Sequence, residues 1–411
     1  MTDTKTTHLI PGYVYDVNDF DLEQARNNTL KFDGHRFRIL FEIAKGCFGN
    51  CEGCSLSAID RKENTPAMTL ENVKNTLNFF KPRINSNKEL VTSVVNYGTG
   101  DYFMMDESFL EELFKITAEF FNDLYTIRNV VTVSTSLFLS EEKMLPKIQA
   151  MTKYLKPGQF AIDGVVDPQR LSTHYDRYLN NYKSITKHLP FFDCVFNFSQ
   201  GLNKEHADYV IKFIQEANLL NFDFQYAINN TNDYRVKMEQ EEFLSFFNYI
   251  YQRVSKELIT MSIAQPVETI DDNPIYTDIE KHANEIVIER VTVNEKGDIY
   301  PLGFGFGDII LDERFNFPSI GNIYTEFDET KAKQIIFNEL KKIFMKNKIC
   351  HSCRFSKQCY STGYAFYNKF NKDNTKCDNI GIFFFDKERQ IQPLEKINII
   401  KKREITINHV R

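Results

Sequence analysis

The chain has 411 residues, 42% of them hydrophobic and 26% charged, with a net charge of -6. That length supports a large buried core and more than one domain, while the acidic balance excludes a general electrostatic footprint for nucleic acid or an anionic membrane. No stretch has the apolar length of a membrane span and the polar start Met1–His8 has no signal core, so a cytoplasmic protein with no nucleic-acid or membrane partner is expected.

From residue 36 to about 255, strand-like and helix-like patterns alternate. Short segments rich in Val, Ile and Phe read as strands: Phe37–Ile43, Leu90–Asn96, Asn129–Ser136, Gln159–Val165, Phe191–Phe198 and Phe222–Asn229. Between them, Glu107–Leu124 carries Leu110, Leu113, Phe114, Thr117, Phe120 and Phe121 at helical spacing, and Lys204–Leu219 and Glu239–Val254 do the same. Strand followed by helix, repeated, is the pattern of a parallel α/β sheet or barrel, and six units are too few to close an eight-unit barrel. A partial (β/α)6 barrel over 36–255 is therefore expected, after an N-terminal extension over 1–35. Pro266, Asp271, Asp272, Asn273 and Pro274 break the rhythm, and 256–290 reads as a linker. A hairpin follows, with Glu285–Asn294, a turn at Glu295–Asp298 and Ile299–Pro301. It opens a short, irregular, cysteine-bearing domain over 291–411.

The cysteines stand at 47, 51, 54, 194, 350, 353, 359 and 377, and seven of these eight fall into two tight groups. Grouped thiols in a chain without a signal segment point to metal or cofactor binding more than to disulfides. Cys47, Cys51 and Cys54 follow directly on the first strand, where barrel chemistry is sited. Three thiolates leave one iron of a cubane cluster open to an exchangeable group, and Gly46, Gly49 and Gly53 give the backbone freedom to wrap a bulky cluster. A structural zinc site is the alternative, though it ordinarily takes four ligands.

This Cys-x3-Cys-x2-Cys segment, in this place, resembles the signature of the radical S-adenosylmethionine (SAM) superfamily. The resemblance implies a [4Fe–4S] cluster on Cys47, Cys51 and Cys54 whose open iron is chelated by SAM. It also implies reductive cleavage of SAM to methionine and a 5′-deoxyadenosyl radical that abstracts a substrate hydrogen. Gly53 departs from the aromatic residue often found before the last cysteine. Tyr97-Gly98-Thr99-Gly100-Asp101 resembles the family's loop for the SAM amino group, with Asp101 as a candidate acceptor. Ser134 and Thr135 resemble a ribose-contacting segment, and Asp163 and Arg177 fall where the family places partners for the ribose hydroxyls and the SAM carboxylate.

Cys350, Cys353, Cys359 and Cys377 supply the four thiols of one closed cluster or one zinc. Their context resembles the SPASM domain, the auxiliary-cluster domain of many radical SAM enzymes: Gly297–Pro301 is similar to its opening hairpin and Ser319–Ile323 to its Gly-Asn-Ile segment. Ligands of that domain's other cluster fall on Leu302, Glu326 and Gly363, so the resemblance implies a single auxiliary cluster. Cys194, alone on the fifth strand, reads as core.

The implied activity is hydrogen abstraction from a peptide or protein, as in SPASM maturases such as anaerobic sulfatase-maturating enzymes, with flavodoxin or ferredoxin as electron donor. The 46 residues before Cys47 are too few for a leader-recognition domain plus the first strand, so leader binding would need another surface or a separate partner. Two alternatives stay open: a radical enzyme for a small carbohydrate or nucleoside, and a non-catalytic iron–sulfur or zinc scaffold or sensor.

Overall fold

The computed structural model describes residues 8–10, 13–15, 36–41, 43, 47, 68–86, 92–96, 101–124, 129–155, 159–188, 192–199, 201–219, 222–226, 242, 245–246, 249–250, 253–254, 288, 290–301, 318–353 and 377. The first strands, β1 (His8–Ile10) and β2 (Tyr13–Tyr15), form an antiparallel pair of their own. All others join one sheet: β3 (Arg36–Phe41), β4 (Thr92–Asn96), β5 (Asn129–Thr135), β6 (Phe160–Val166), β7 (Phe192–Phe198), β8 (Phe222–Tyr226), β9 (Arg290–Val293), β10 (Asp298–Pro301) and β11 (Gly321–Asn322). Its order is β11-β10-β9-β3-β4-β5-β6-β7-β8. Strands β3 to β8 run parallel, each beside its predecessor, which is barrel-type winding. Two separate edges, β11 and β8, mark the sheet as open among the described residues.

The helices are α1 (Leu70–Ser86), α2 (Glu107–Asn122), α3 (Glu141–Tyr154), α4 (Pro168–Thr173), α5 (Tyr175–His188), α6 (Lys204–Glu216) and α7 (Glu329–Lys346). The six strands expected between 36 and 255 are all present, as are the helices over 107–122 and 204–216. Of Glu239–Val254, only scattered residues lie within the described set. Sequence periodicity missed α1 and α3, and each has a proline inside it, Pro82 and Pro146. A mid-helix proline reads as a breaker, and here the packing of the apolar face outweighs its cost.

One face of the sheet meets the helices and is apolar. Phe37 stacks on Phe80 of α1 at 5.2 Å and Phe196 on Phe213 of α6 at 6.2 Å. Ile39, Val131, Val133, Ile162, Cys194 and Phe198 are fully buried with them. Because strand side chains alternate, the intervening positions form the concave face, where buried Leu40 and half-buried Val165 and Val195 stand among polar residues. Thr132, Ser134 and Asp163 lie there, with Ser134 and Asp163 opposite each other and half-buried. Cys194 sits on the helix face, fully buried, as expected for core.

The C-terminal hairpin forms as expected and extends the same sheet: β9 pairs parallel with β3, and β10 antiparallel with β9. Gly297 closes the turn at φ +78°, where an added Cβ would stand 2.7 Å from the Tyr324 ring and 2.8 Å from Ile323. The Gly-Asn segment is β11, with Gly321 opposite Ile299. No helix among the described residues is long and apolar enough to cross a membrane.

Candidate functional site

In a parallel winding of this kind, the strands' C-terminal ends open onto one rim, and chemistry concentrates there. Of the expected site residues, Cys47, Asp101, Ser134, Thr135, Asp163 and Arg177 lie among the described residues. Cys47 follows β3 by six residues, and its thiol is half-buried, in contrast to fully buried Cys194. Cys51, Cys54, Gly98, Thr99 and Gly100 lie outside the described residues.

Asp101 directly precedes a short 3-10 turn, Tyr102–Met104, and is 1% exposed. Its Oδ1 accepts from the Phe103 backbone N–H at 3.0 Å, capping that turn. Its Oδ2 accepts from the Ser136 N–H at 3.0 Å and the Ser136 hydroxyl at 2.5 Å, and the Thr135 hydroxyl bonds to the same carboxylate. A carboxylate offers about four acceptor positions, and here four groups of its own fold occupy them. Burial pushes the Asp101 pKa above the ordinary 3.8, opposed by the bonds from Ser136, Phe103 and Thr135. Within the fold, Asp101 ties the chain that follows β4 to the loop after β5.

Ser134 and Thr135 part company for a simple reason of alternation. Ser134 stands half-buried on the concave face. Thr135 is 1% exposed on the other face, and its Oγ1 accepts from the Leu137 N–H at 3.2 Å. Ser134 therefore faces the site, and Thr135 shapes the loop behind it. Arg177, on α5, is exposed; its guanidinium lies 3.8 Å from the Phe138 ring centroid and donates to the Phe138 carbonyl at 2.5 Å. Thus Asp101, Ser136, Phe138 and Arg177 form one connected arc across the ends of β4, β5 and β6.

Sequence reasoning missed Ser136 and Asn181. Asn181 stands four residues after Arg177, on the same helical face, and this spacing was the signal for it. Its side-chain amide donates to the carbonyls of Leu137 at 2.6 Å and Leu139 at 2.8 Å. Ser199, directly after β7, is also new: its hydroxyl is fully buried and has no hydrogen-bond partner among the described residues. A buried hydroxyl without a partner costs about 1–3 kcal/mol, so a polar ligand that reaches this rim would gain there. The half-buried Cys47 thiol, the facing Ser134 and Asp163 and the Ser199 hydroxyl fit an iron–sulfur cluster with a polar cofactor such as SAM.

The second cysteine group follows α7. Asn347, fully buried, donates from Nδ2 to the Ile343 carbonyl at 2.8 Å and starts a 3-10 turn over Lys348–Ser352. Within it the Cys350 N–H donates to the Asn347 carbonyl at 2.9 Å, and the Cys353 N–H to the Cys350 carbonyl at 3.3 Å. His351 stacks on Phe344 at 4.7 Å between ring centroids. Cys350 is buried, Cys353 and Cys377 are half-buried, and Cys359 lies outside the described residues.

No family model matches the sequence, and no curated protein matches it. Solved structures do. The sulfatase-maturating enzyme anSMEcpe with bound AdoMet superposes with a TM-score of 0.52 at 13% identity, covering 80% of this chain and 96% of that one. Streptococcus suis SuiB bound to precursor peptide SuiA superposes with a TM-score of 0.56 at 12% identity, covering 88% of this chain and 82% of that one. Coverage of 80% and 88% of this chain at such low identity makes this a likeness of fold. The fold of this chain is the fold of the radical SAM enzymes.

Proposed function

We propose that the chain is a radical SAM enzyme that abstracts a hydrogen atom from a peptide or protein substrate. The observation that carries this reading is the half-exposed Cys47 directly after β3, on the same rim as the Asp101–Ser136–Phe138–Arg177 arc. Cys47, Cys51 and Cys54 would hold the catalytic [4Fe–4S] cluster. SAM held at that cluster would supply, on one-electron reduction, the radical chemistry for removing a hydrogen atom from a substrate carbon.

The chain's own residues bind and orient. Gly98, Thr99, Gly100 and Asp101 would take the SAM amino group, glycine being the residue that lets a ligand approach the backbone closely. Ser134 and Asp163, facing each other on the concave side, take ribose hydroxyls. Arg177 takes the SAM carboxylate: its Phe138 bond uses one of five N–H groups, leaving the rest of the fork for a bidentate partner. Cys350, Cys353, Cys359 and Cys377 carry one closed auxiliary cluster in the 291–411 region, which serves electron transfer or structure. A flavodoxin or ferredoxin supplies the electron.

A peptide substrate draws its support from two neighbours whose structures hold peptides, anSMEcpe with the Cp18Cys peptide and SuiB with SuiA. The test is anaerobic incubation with SAM, a reductant and a peptide encoded beside the gene. Release of 5′-deoxyadenosine and a mass change on the peptide, both abolished by Cys51→Ala, support the proposal. No 5′-deoxyadenosine under any reductant overturns the enzyme reading. Formation that rises with a sugar or nucleoside, and with no peptide altered, overturns the substrate reading.

A further inference from the structure

The loop after β5 holds a backbone that an L-residue resists. Leu137 has φ 56°, and its side chain is fully buried. In that left-handed region Cβ crowds the following carbonyl, which disfavours the conformation by a factor of about ten. Such outliers persist only where surrounding contacts impose them, and they cluster at functional sites. Here the contacts are explicit. The Leu137 N–H donates to Thr135 Oγ1, and the Ser136 N–H before it donates to Asp101. One buried amide, that of Asn181, donates to both the Leu137 and the Leu139 carbonyls.

Phe138 lies between those two carbonyls, so Asn181 fixes it from both sides. Phe138 in turn organises its neighbours: Arg177 stacks at 3.8 Å and donates to its carbonyl, Arg170 stands at 4.1 Å, and His174 and Tyr178 contact its ring at 5.2 and 5.9 Å. An exposed arginine loses considerable rotamer freedom when it grips a ligand. One already stacked and hydrogen-bonded has lost much of it in advance, which tightens binding.

We infer that Asn181 is a positioning residue for the carboxylate end of the SAM site, acting by holding Leu137 left-handed so that Phe138 presents Arg177. This rests on the reading of Arg177 given above. Asn181 touches no ligand itself. Its effect passes through two backbone carbonyls, one aromatic ring and one guanidinium.

The test uses the full chain with its clusters reconstituted and four variants: Asn181→Ala, Asn181→Gln, Leu137→Gly with Asn181→Ala, and Arg177→Ala. Measured are the SAM Kd, the iron content, the Tm and hydrogen exchange over 136–139. Asn181→Ala should raise the SAM Kd by about tenfold with iron unchanged, and should speed exchange at Leu137 and Leu139 without SAM present. Asn181→Gln keeps the donor and should recover most of the affinity. The double variant carries the decision. Glycine adopts φ 56° at no steric cost, so the SAM Kd should return to within about threefold of native. Its Tm should fall below that of Asn181→Ala, because a buried leucine is lost. Affinity that recovers while stability drops is the mark of positioning; an affinity that follows the Tm downward overturns the inference. Native-like binding by Asn181→Ala beside weakened binding by Arg177→Ala overturns it alone. Native-like binding by Arg177→Ala overturns the arginine reading and this inference with it.

Discussion

Replacing Asp101 by Asn tests the rim directly, because the substitution keeps the shape and removes one acceptor. Whichever way the new amide turns, its NH2 faces a buried backbone N–H, that of Phe103 or that of Ser136, each at 3.0 Å from the native carboxylate. One buried donor is then unpaired, and a charge-assisted bond is lost with it, at a cost of about 2–3 kcal/mol. With an unfolding entropy of about 2.1 cal/mol/K per residue, a chain of 411 residues should lose roughly 2–4 °C in Tm. The pH dependence has a definite sign. Burial raises the Asp101 pKa above 3.8, so the folded state holds the proton more tightly than the unfolded one. The contribution of Asp101 is therefore full below pH 3.8 and is lost as pH rises through the folded value. The substituted amide does not titrate, so the gap between native protein and variant should widen as pH falls from 7 toward 4. Urea unfolding at several pH values measures this. A variant within about one degree of native refutes the account of Asp101 as a saturated buried tie, and a gap that narrows on acidification refutes burial as the dominant influence on its pKa.

Anaerobically reconstituted protein should bind on the order of eight irons per chain, and changing Cys47, Cys51 and Cys54 together to Ala should remove about half of them; colourless, zinc-loaded protein would refute the cluster reading. Arg83→Ala should cost about 1–2 kcal/mol, more than Glu329→Gln at under about 1 kcal/mol. Arg83 not only pairs with Glu329 at 2.5 Å but also stands 5.2 Å from the Phe37 ring and 5.8 Å from the Phe327 ring. Partial burial would raise the Glu329 pKa, but the bonds from Arg83 and Lys333 hold it below 4.5. That pair's contribution is therefore present at neutral pH and lost on acidification below 4.5, as denaturant titrations would record. Gly297→Ala should destabilise by about 2–3 kcal/mol, since the backbone is left-handed and the new methyl meets Tyr324 at 2.7 Å; a neutral effect on Tm would contradict it.

The barrel strands were legible because each is a short run of β-branched and aromatic residues, such as Asn129–Thr135 and Phe192–Phe198. Parallel order followed from the alternation with helices. The proline-bearing α1 and α3 were not legible, because local propensity opposes what the apolar faces enforce. Site residues divided in a similar way. Cys47 was singled out by motif and Arg177 by register; Cys47 stands half-buried after β3, and Arg177 donates to the Phe138 carbonyl. The roles of Asp101 and Thr135 were not readable: a carboxylate in a Gly-rich loop looks like a ligand, and only the fold shows Ser136 arriving from another strand to occupy it. The spacing from Arg177 puts Asn181 on the same helical face, but its bonds to two carbonyls some forty residues away in sequence are a relation that only the fold shows.

The strand order gives the C-terminal extension a task at the cluster. β9 pairs parallel with β3, with Val293 opposite Phe41, so the chain leaves β3 toward Cys47 at the end where β9 turns into its hairpin. On α1, Asn72 donates from Nδ2 to the Glu295 carbonyl of that hairpin at 2.9 Å and accepts from the Tyr324 hydroxyl at 3.1 Å. Both flanks of the segment bearing Cys47, Cys51 and Cys54 are thus held against the extension. Tying the ends of a segment lowers the entropy it must lose to wrap a cluster, so loosening one tie should ease cluster loss. Asn72→Ala removes two hydrogen bonds of about 1 kcal/mol each at a partly exposed position. Iron release to a chelator should then be several-fold faster, with the SAM Kd of the remaining cluster-loaded protein unchanged, because the rim of β4 to β6 is untouched. Release at the native rate would show that the extension does not brace the cluster segment. A raised SAM Kd in the loaded fraction would show that Asn72 acts on the cofactor rim instead.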